Sequence, residues 1–405
     1  MKIRTITSFF DPQINQIDAQ LEPLAAFSHE LRAAIESDGF EVETVRLAAS
    51  PFPAWLQGER DEQIQLLLKT EALVSAQGWD YLSVGPAAPD NLDAYHCIPE
   101  LLAATKSVFF GGIISDNRAV YPSAVKACAK IIQQASTISP DGFTNLRFAA
   151  LANVPPHAPF FPAAYHAAGE TPAFSLAMEC ADEAVKAFSN ASSLEQARSL
   201  FLKALETAAD RLTPICEQIA KRHQVIFKGF DFSPAPFPED WCSLGKAFEM
   251  LGLEHIGGAG SLAAAAFIAD ALDNGKWQHV GFNGLMLAVM EDSVLAARAA
   301  EGVLSIKDLL LYSAVCGTGL DTIPLPGDTS VDELSAILLD LASLATRLGK
   351  PLTGRLMPIP GKKVGDATEF DFGYFANSRV MNAGAQKVSA PLISAAEIPL
   401  KPRQK

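Results

Sequence analysis

Along most of the chain, the pattern of hydrophobic and polar residues is typical of strands and of helices in alternation. Short apolar runs bounded by turn formers predict strands, and apolar residues three or four apart predict amphipathic helices. Strands are predicted over residues 3–10, 40–47, 81–84, 108–110, 146–152, 224–231, 354–359 and 369–375. Helices are predicted over residues 24–36, 63–77, 122–134 and 331–348, and over a long region, 194–223, which Pro214 should kink or break. This alternation predicts an α/β fold with a mainly parallel sheet or a barrel.

The most distinctive local sequence surrounds Cys316. An apolar, strand-like run over residues 309–315 leads to this cysteine, and Gly317, Gly319 and Asp321 follow it. Glycines let the backbone approach a ligand closely, and a thiol beside free amides can be held as a thiolate. We therefore expect Cys316 to be the chemical centre and the three following residues to contact the substrate. The alternative is a buried, unreactive cysteine.

Several predicted strands run directly into loops rich in Gly, Pro, Asn and Asp, including the loop that carries Asp231 and Ser233. In parallel α/β folds the carboxyl ends of the strands meet at one face, where active sites lie. We expect Cys316, His166, Asp231 and the loop at residues 114–117 to converge there, with Asn283 lining the same face. In the alternative interpretation these residues only form turns, and Asp231 caps nearby backbone amides.

His166 and Glu170 are four residues apart, so on a helix they would share a face. That arrangement suits acid–base partners or metal ligands, but no third ligand is evident. We expect His166 to be a general acid or base and Glu170 to bind substrate, with no metal and no cofactor. A buried, hydrogen-bonded histidine is the alternative.

Arg4 and Arg355 lie in or beside strand-like runs that contain few other charges. An arginine that faces the inside of a sheet needs a carboxylate partner, either an Asp or Glu side chain or a substrate anion. We favour the substrate and assign Arg355 to its carboxylate.

Composition narrows the classes of partner. The chain has 405 residues, 49% of them apolar and 19% charged, and its formal net charge is −14. Because basic residues are scattered, we expect no nucleic-acid partner and no membrane partner. Six cysteines without a C-x-x-C pair favour reduced thiols in the cytoplasm. A small-molecule metabolite is the expected partner, and the sequence leaves a homo-oligomer open.

Five segments together carry a resemblance to a known family: residues 3–7, 161–170, 231–236, 316–321 and 357–366. In this order and spacing they resemble an uncharacterised prokaryotic family, a domain of unknown function often labelled PFL family. The resemblance implies that residues 1–405 form a single ten-stranded α/β barrel domain, similar to the pyruvate formate-lyase-like glycyl radical enzymes.

One departure from those enzymes concerns the radical glycine. They carry it in an Arg-Val-x-Gly-aromatic context, but residues 379–385 read Arg-Val-Met-Asn-Ala-Gly-Ala. Two extra residues intervene, and no aromatic residue follows the glycine. The resemblance therefore implies the barrel without glycyl radical chemistry, because a shared fold does not carry a shared function.

Two functional hypotheses follow. In the first, the protein is an enzyme acting on a small anionic metabolite, with Cys316 as nucleophile or acid–base thiol and with His166 and Asp231 transferring protons. The sequence does not rank lyase, isomerase and transferase. In the second, it is a non-catalytic metabolite-binding protein. Exposure and a low pKa of Cys316 would favour the first hypothesis, and burial would favour the second.

Overall fold

The computed structural model describes residues 1–402. The strands are β1 (Lys2–Phe10), β2 (Val42–Ala49), β3 (Tyr81–Ala87), β4 (Val108–Ser115), β5 (Ala119–Val120), β6 (Phe148–Ala152), β7 (Ala173–Glu179), β8 (Ile226–Asp231), β9 (Gly319–Pro326), β10 (Leu352–Ile359) and β11 (Ile398–Pro399). The helices are α1 (Ile17–Ser37), α2 (Arg60–Ala76), α3 (Leu92–Ala104), α4 (Pro122–Ser136), α5 (Ala181–Ser189), α6 (Leu194–His223), α7 (Leu244–Met250), α8 (Ser261–Asp273), α9 (Ser293–Ala300), α10 (Ile306–Val315) and α11 (Val331–Leu348).

The central sheet has the strand order β8-β7-β1-β2-β3-β4-β6-β10-β9, and β5 and β11 pair beside β4. The five strands β1, β2, β3, β4 and β6 run parallel. On either side lies a parallel pair, β7–β8 and β9–β10, that meets the inner five through an antiparallel contact. The carboxyl ends of the outer pairs therefore point opposite to those of the inner strands, and the expectation that all strand-end loops gather at one face is wrong.

The ladder is not closed between β8 and β9 in the described part of the chain. Single bridges join His279 to Phe230 of β8 and Ala288 to Asp321 of β9. The fold is thus a mixed α/β fold with a large central sheet and eleven helices among residues 1–402. A closed barrel is not confirmed.

The two faces of the sheet are covered differently. On one face, strand residues such as Ile6 and Val45 pack with the helices in the main core. The other, which we call the inner face, is covered partly by the loop 153–166. Three strand hydroxyls hold backbone carbonyls of this loop: Thr7 donates to Pro159 (2.8 Å), Ser83 to Ala164 (2.7 Å) and Ser175 to His157 (2.9 Å).

Most predicted elements are confirmed, but the strand over residues 309–315 is wrong. This stretch lies in helix α10, which begins with a capping box formed by Ser305 and Asp308. Its buried residues Ile306, Leu309 and Tyr312 are three apart, as on one side of a helix. Cys316 therefore follows a helix, not a strand.

One further predicted strand is wrong, and the helix break considered at Pro214 is absent. Residues 369–375 form a loop, not a strand. Helix α6 continues through Pro214, since both Pro214 and Asp210, whose carbonyl loses its helical partner, are exposed to water. Strand β9 was not predicted. Its two prolines are tolerated because its ladder partner is β10, and its other edge makes only the single bridge between Asp321 and Ala288.

None of the helices among residues 1–402 has the length and apolar character required to cross a membrane.

Candidate functional site

A cavity opens on the inner face of the sheet, near the amino-terminal ends of β1, β3 and β4. It contains about 870 Å³ of space outside protein atoms, part of it open to solvent. Phe160, Phe161, Pro162 and Ala163, at the tip of the 153–166 loop, form one wall. Arginines of the strands, together with Asp321 of β9 and Glu291, form another. The cavity thus combines an apolar loop with a cluster of buried charges.

Arg4 is surrounded by three glutamates. Its Nη1 donates to Glu43 Oε2 at 3.1 Å and to Glu179 Oε2 at 2.9 Å, and its Nη2 donates to Glu291 Oε2 at 3.0 Å. Burial alone would lower the pKa of Arg4, but the carboxylates, Glu291 foremost, raise its pKa above the ordinary value. Arg4 is therefore a charged structural tie between β1, β2, β7 and the segment that precedes α9.

Arg355 is held in the same way. Its Nε donates to Asp321, and its Nη2 donates to Glu291 Oε1 at 2.7 Å. Burial opposes the charge, but Asp321 and then Glu291 give a net rise in the pKa of Arg355. Of the two partners considered for Arg355, the structure provides the Asp and Glu side chains. Glu291 uses its two oxygens to join Arg4 and Arg355.

Glu179 is buried beside the same guanidinium that Glu43 contacts. Burial raises the pKa of Glu179 to about 8; the charge of Arg4 lowers this pKa, and that of Glu43 raises it. Glu179 therefore remains largely protonated at neutral pH.

Arg46 differs from the other two arginines of the cavity. Its Nε donates to Thr44 Oγ1 at 3.0 Å, but among residues 1–402 its Nη atoms have no hydrogen bond and no carboxylate lies within ion-pair distance. Its guanidinium carbon lies 5.6 Å from the ring centre of Tyr81 and 5.4 Å from that of Phe161. Burial, followed by the charge of Arg4, lowers the pKa of Arg46 to about 10, so it stays charged at neutral pH.

Sequence reasoning missed Arg46, Glu43 and Glu179 as parts of this site. The signal was present in β2, where Glu43 and Arg46 are charged residues within a strand, as Arg4 is in β1. An unpaired Arg46 could not be inferred, because its partners depend on how distant strands meet.

Cys316 lies outside the cavity wall. Its residue is 8% exposed, and a β-carbon built on Gly284 would lie 3.2 Å from its sulfur. Burial raises the pKa of Cys316 to about 11, although Lys350 lowers it. These surroundings favour a neutral thiol, not the expected thiolate. The fold requires glycine at position 319, since a β-carbon there would lie 2.2 Å from the Thr353 carbonyl oxygen. Gly317 is less restricted, because a β-carbon there would lie 3.2 Å from Ser313 Oγ.

Hydrogen bonds join Asp231, Ser233 and Asn283 and hold this turn in place. Asp231 Oδ1 accepts from Ser233 Oγ at 2.6 Å and from the Asn283 amide at 2.9 Å, and Oδ2 accepts from the Phe282 amide at 2.7 Å. Burial raises the pKa of Asp231, and these hydrogen bonds oppose the rise. Ser233 Oγ also accepts from the Gly284 amide at 2.9 Å. This turn therefore lies beside Cys316.

His166 lies in a separate cluster at the carboxyl end of β2, where its amide donates to Ala49. Residues 166–170 are not helical. The His166 ring contacts His157, with Nδ1 to Nε2 at 3.0 Å, and its Nε2 lies 3.2 Å from the Glu170 carbonyl oxygen. The Glu170 carboxylate instead pairs with Lys228 at 3.0 Å. Burial lowers the pKa of His166.

Comparison with known proteins places these observations in a family. A family model described as Uncharacterised ACR (DUF711) matches residues 1–378. The chain belongs to this family. A UPF0210 protein of Pyrobaculum aerophilum is 31% identical over 387 residues, which cover 90% of this chain and 85% of that protein. A UPF0210 protein of Acetivibrio thermocellus is 32% identical over 288 residues, covering 67% of this chain and 63% of that one.

The resemblance to a family of unknown function is thus confirmed at the level of the DUF711 family. The matched region spans every residue that lines the cavity of this DUF711 protein, from Arg4 to Tyr374.

Proposed function

We propose that this protein binds a small organic anion in the cavity and that Arg46 supplies the counter-charge. The observation that carries the proposal is the free end of the Arg46 guanidinium. Arg4 and Arg355 both have carboxylate partners, whereas the described structure gives Arg46 none. A partly buried charge without a partner is unfavourable, and a bound carboxylate would compensate it.

The geometry of arginine suits this role. A guanidinium presents its N–H groups in a planar fork that matches the two oxygens of a carboxylate or phosphate. The rings of Tyr81 and Phe161 flank Arg46 and limit its movement. An anion would also raise the lowered pKa of Arg46, so binding and the charge of Arg46 would support each other.

We place anion binding ahead of thiol-based catalysis. Burial and the raised pKa of Cys316 are the features that favour the non-catalytic hypothesis. His166 contacts His157 and a backbone carbonyl, and Asp231 accepts hydrogen bonds from Ser233 and from the backbone amides of Phe282 and Asn283. These three residues therefore give little support to a shared acid–base mechanism.

The barrel of the glycyl radical enzymes remains our proposal for the ancestry of the fold. The segment between His279 and Ala288 makes one bridge to each edge strand, at the place where a further strand would close the sheet. Gly384, which lacks the sequence context of a radical glycine, is exposed. This supports a related sheet without radical chemistry.

A cytoplasmic location is also a proposal. All six cysteines are unpaired and buried, which supports a reducing compartment.

A thermal-shift screen of small carboxylates and phosphates tests the anion site. A ligand at one hundred times its Kd stabilises the folded state by about 2.7 kcal/mol, which is readily measured. We expect a stabilising anion for the wild type and for Arg118→Met, a control at an exposed arginine. Arg46→Met should abolish the shift without lowering the stability of the empty protein. Equal shifts in all three proteins would refute the site.

A further inference from the structure

The cavity is unusually rich in aromatic rings. Seven of its nineteen lining residues are Phe or Tyr, whereas aromatic residues make up only 8% of the chain. A wall this rich in rings favours a ligand that presents apolar or aromatic surface over most of its length.

Three of these rings form a continuous wall beside Arg46. The ring centres of Tyr81 and Phe109 are 5.3 Å apart, and those of Phe109 and Phe161 are also 5.3 Å apart. Both pairs are edge-to-face, an arrangement that aromatic rings prefer. Arg46 lies over the first and last ring of this wall, so the charge stands at its rim.

A second aromatic group lies on the segment 366–378. Tyr374 contacts Phe372 with ring centres 5.3 Å apart, and the Arg4 guanidinium carbon lies 5.0 Å from the Tyr374 ring centre. Both rings line the cavity. The ligand space therefore has aromatic residues from the sheet and from this later segment.

The remaining polar groups restrict the number of charges that a ligand can carry. Arg4, Arg355, Glu291 and Asp321 are engaged with one another. Besides Arg46, the cavity lining contains two hydroxyl groups, those of Tyr81 and Tyr374, that have no hydrogen-bond partner among residues 1–402. A second anionic group or a row of sugar hydroxyls would lose water against the rings and would find only these two hydroxyls as partners.

We infer that the natural ligand is an aromatic monocarboxylate, with its carboxylate at Arg46 and its ring against the wall of Tyr81, Phe109 and Phe161. This inference rests on the proposed anion site and specifies its substrate class. It distinguishes the site from one for dicarboxylates or for sugar phosphates.

Calorimetric titration with four probes tests the inference on the full chain. Phenylacetate should bind about 30-fold or more tighter than acetate, because the ring removes apolar surface from water. It should bind several-fold tighter than cyclohexylacetate, because aromatic rings gain from pairing geometry beyond area. Succinate should bind no better than acetate. If succinate or acetate matches phenylacetate, the inference is wrong.

Variants separate this inference from the anion site itself. Phe109→Leu should reduce phenylacetate affinity about 10-fold and reduce acetate affinity much less, because acetate has no ring to contact this wall. Phe188→Leu, a buried ring outside the cavity that contacts Phe201, is the matched control. Tyr374→Leu serves as a second wall variant if Phe109→Leu does not fold. If the wild type binds none of the four probes, or if binding is unaffected by Arg46→Met, the anion site is wrong. If binding depends on Arg46 but shows no preference for a ring, only the ligand class is wrong.

Discussion

Arg4 donates a 2.9 Å hydrogen bond to Glu179, yet burial keeps the pKa of this glutamate at about 8. An ion pair with one arginine does not outweigh burial when a second carboxylate, Glu43, contacts the same nitrogen. The charge cluster around the cavity therefore contains a carboxyl group that is neutral at neutral pH.

Glu179→Gln should become increasingly favourable to stability as pH rises. Folded Glu179 keeps a proton that the unfolded chain releases above pH 4.5, so this group destabilises the fold progressively between pH 4.5 and about 8. Urea unfolding at pH 5, 6, 7 and 8 should show the variant gaining about 2–4 kcal/mol relative to wild type over this range. Glu254→Gln, at an exposed position, should show no such trend. A gap that stays constant with pH would contradict the protonated Glu179.

His157, one of the paired histidines, should make the free energy of unfolding fall as the pH is lowered. Burial lowers the pKa of His157 to about 4, followed by the charge of Lys228. Because the unfolded histidine takes up a proton below pH 6.5 and the folded one does not, this stability is present above pH 6.5 and lost as pH falls towards 4. His157→Asn, which tolerates the left-handed φ of 69° at this residue, should flatten the pH dependence by about 1–3 kcal/mol. Chemical unfolding between pH 4.5 and 7 measures this difference, and an unchanged slope would count against it.

Cys316 should be the most readily alkylated of the six cysteines, but slowly at neutral pH. It is the most exposed of them at 8%. With a pKa of about 11, only about one thiol in 10,000 is ionised at pH 7. Iodoacetamide labelling read by peptide mass spectrometry should accelerate about tenfold per pH unit between pH 7 and 10. Fast labelling at pH 7 would restore the thiolate hypothesis. If Cys97 were labelled before Cys316, the predicted order of reactivity would be wrong.

Gly319 should be required for folding rather than for binding. Its φ is 103°, and an added β-carbon would lie 2.2 Å from the Thr353 oxygen. Gly319→Ala should therefore destabilise the protein by about 3 kcal/mol or more. Gly361→Ala has a comparable left-handed φ of 76° but open space around it, and should cost only about 1–2 kcal/mol. Equal losses of unfolding free energy in the two variants would contradict this steric account.

The sequence predicted the elements better than the site. Helix α11, residues 331–348, was predicted at its observed bounds from the Ser330–Glu333 capping box and Gly349. The same spacing at Ser305 and Asp308 would have identified α10. The antiparallel pairing of β7 with β1 and of β10 with β6 could not be predicted from periodicity or motifs, because it depends on which strands, distant in sequence, lie side by side.

The same limit explains the outcome for the site residues. A buried charge in a strand was a valid signal at Arg4 and Arg355, but whether its partner is a side chain or a ligand depends on which strands face each other. The structure supplies Glu291 to both. Of the three cavity arginines, it leaves Arg46, which the sequence did not single out, without a carboxylate partner among residues 1–402.

A crystal structure with 4-bromophenylacetate tests the central claim most directly. The account requires the carboxylate within about 3.2 Å of the Arg46 Nη atoms and an anomalous bromine peak inside the cavity, near Phe109. Soaking Arg46→Met crystals under the same conditions should leave the cavity without that peak. A bromine peak beside Cys316 or His166, or one that persists in the cavity of Arg46→Met, would contradict the assignment of Arg46 as the anion-binding residue.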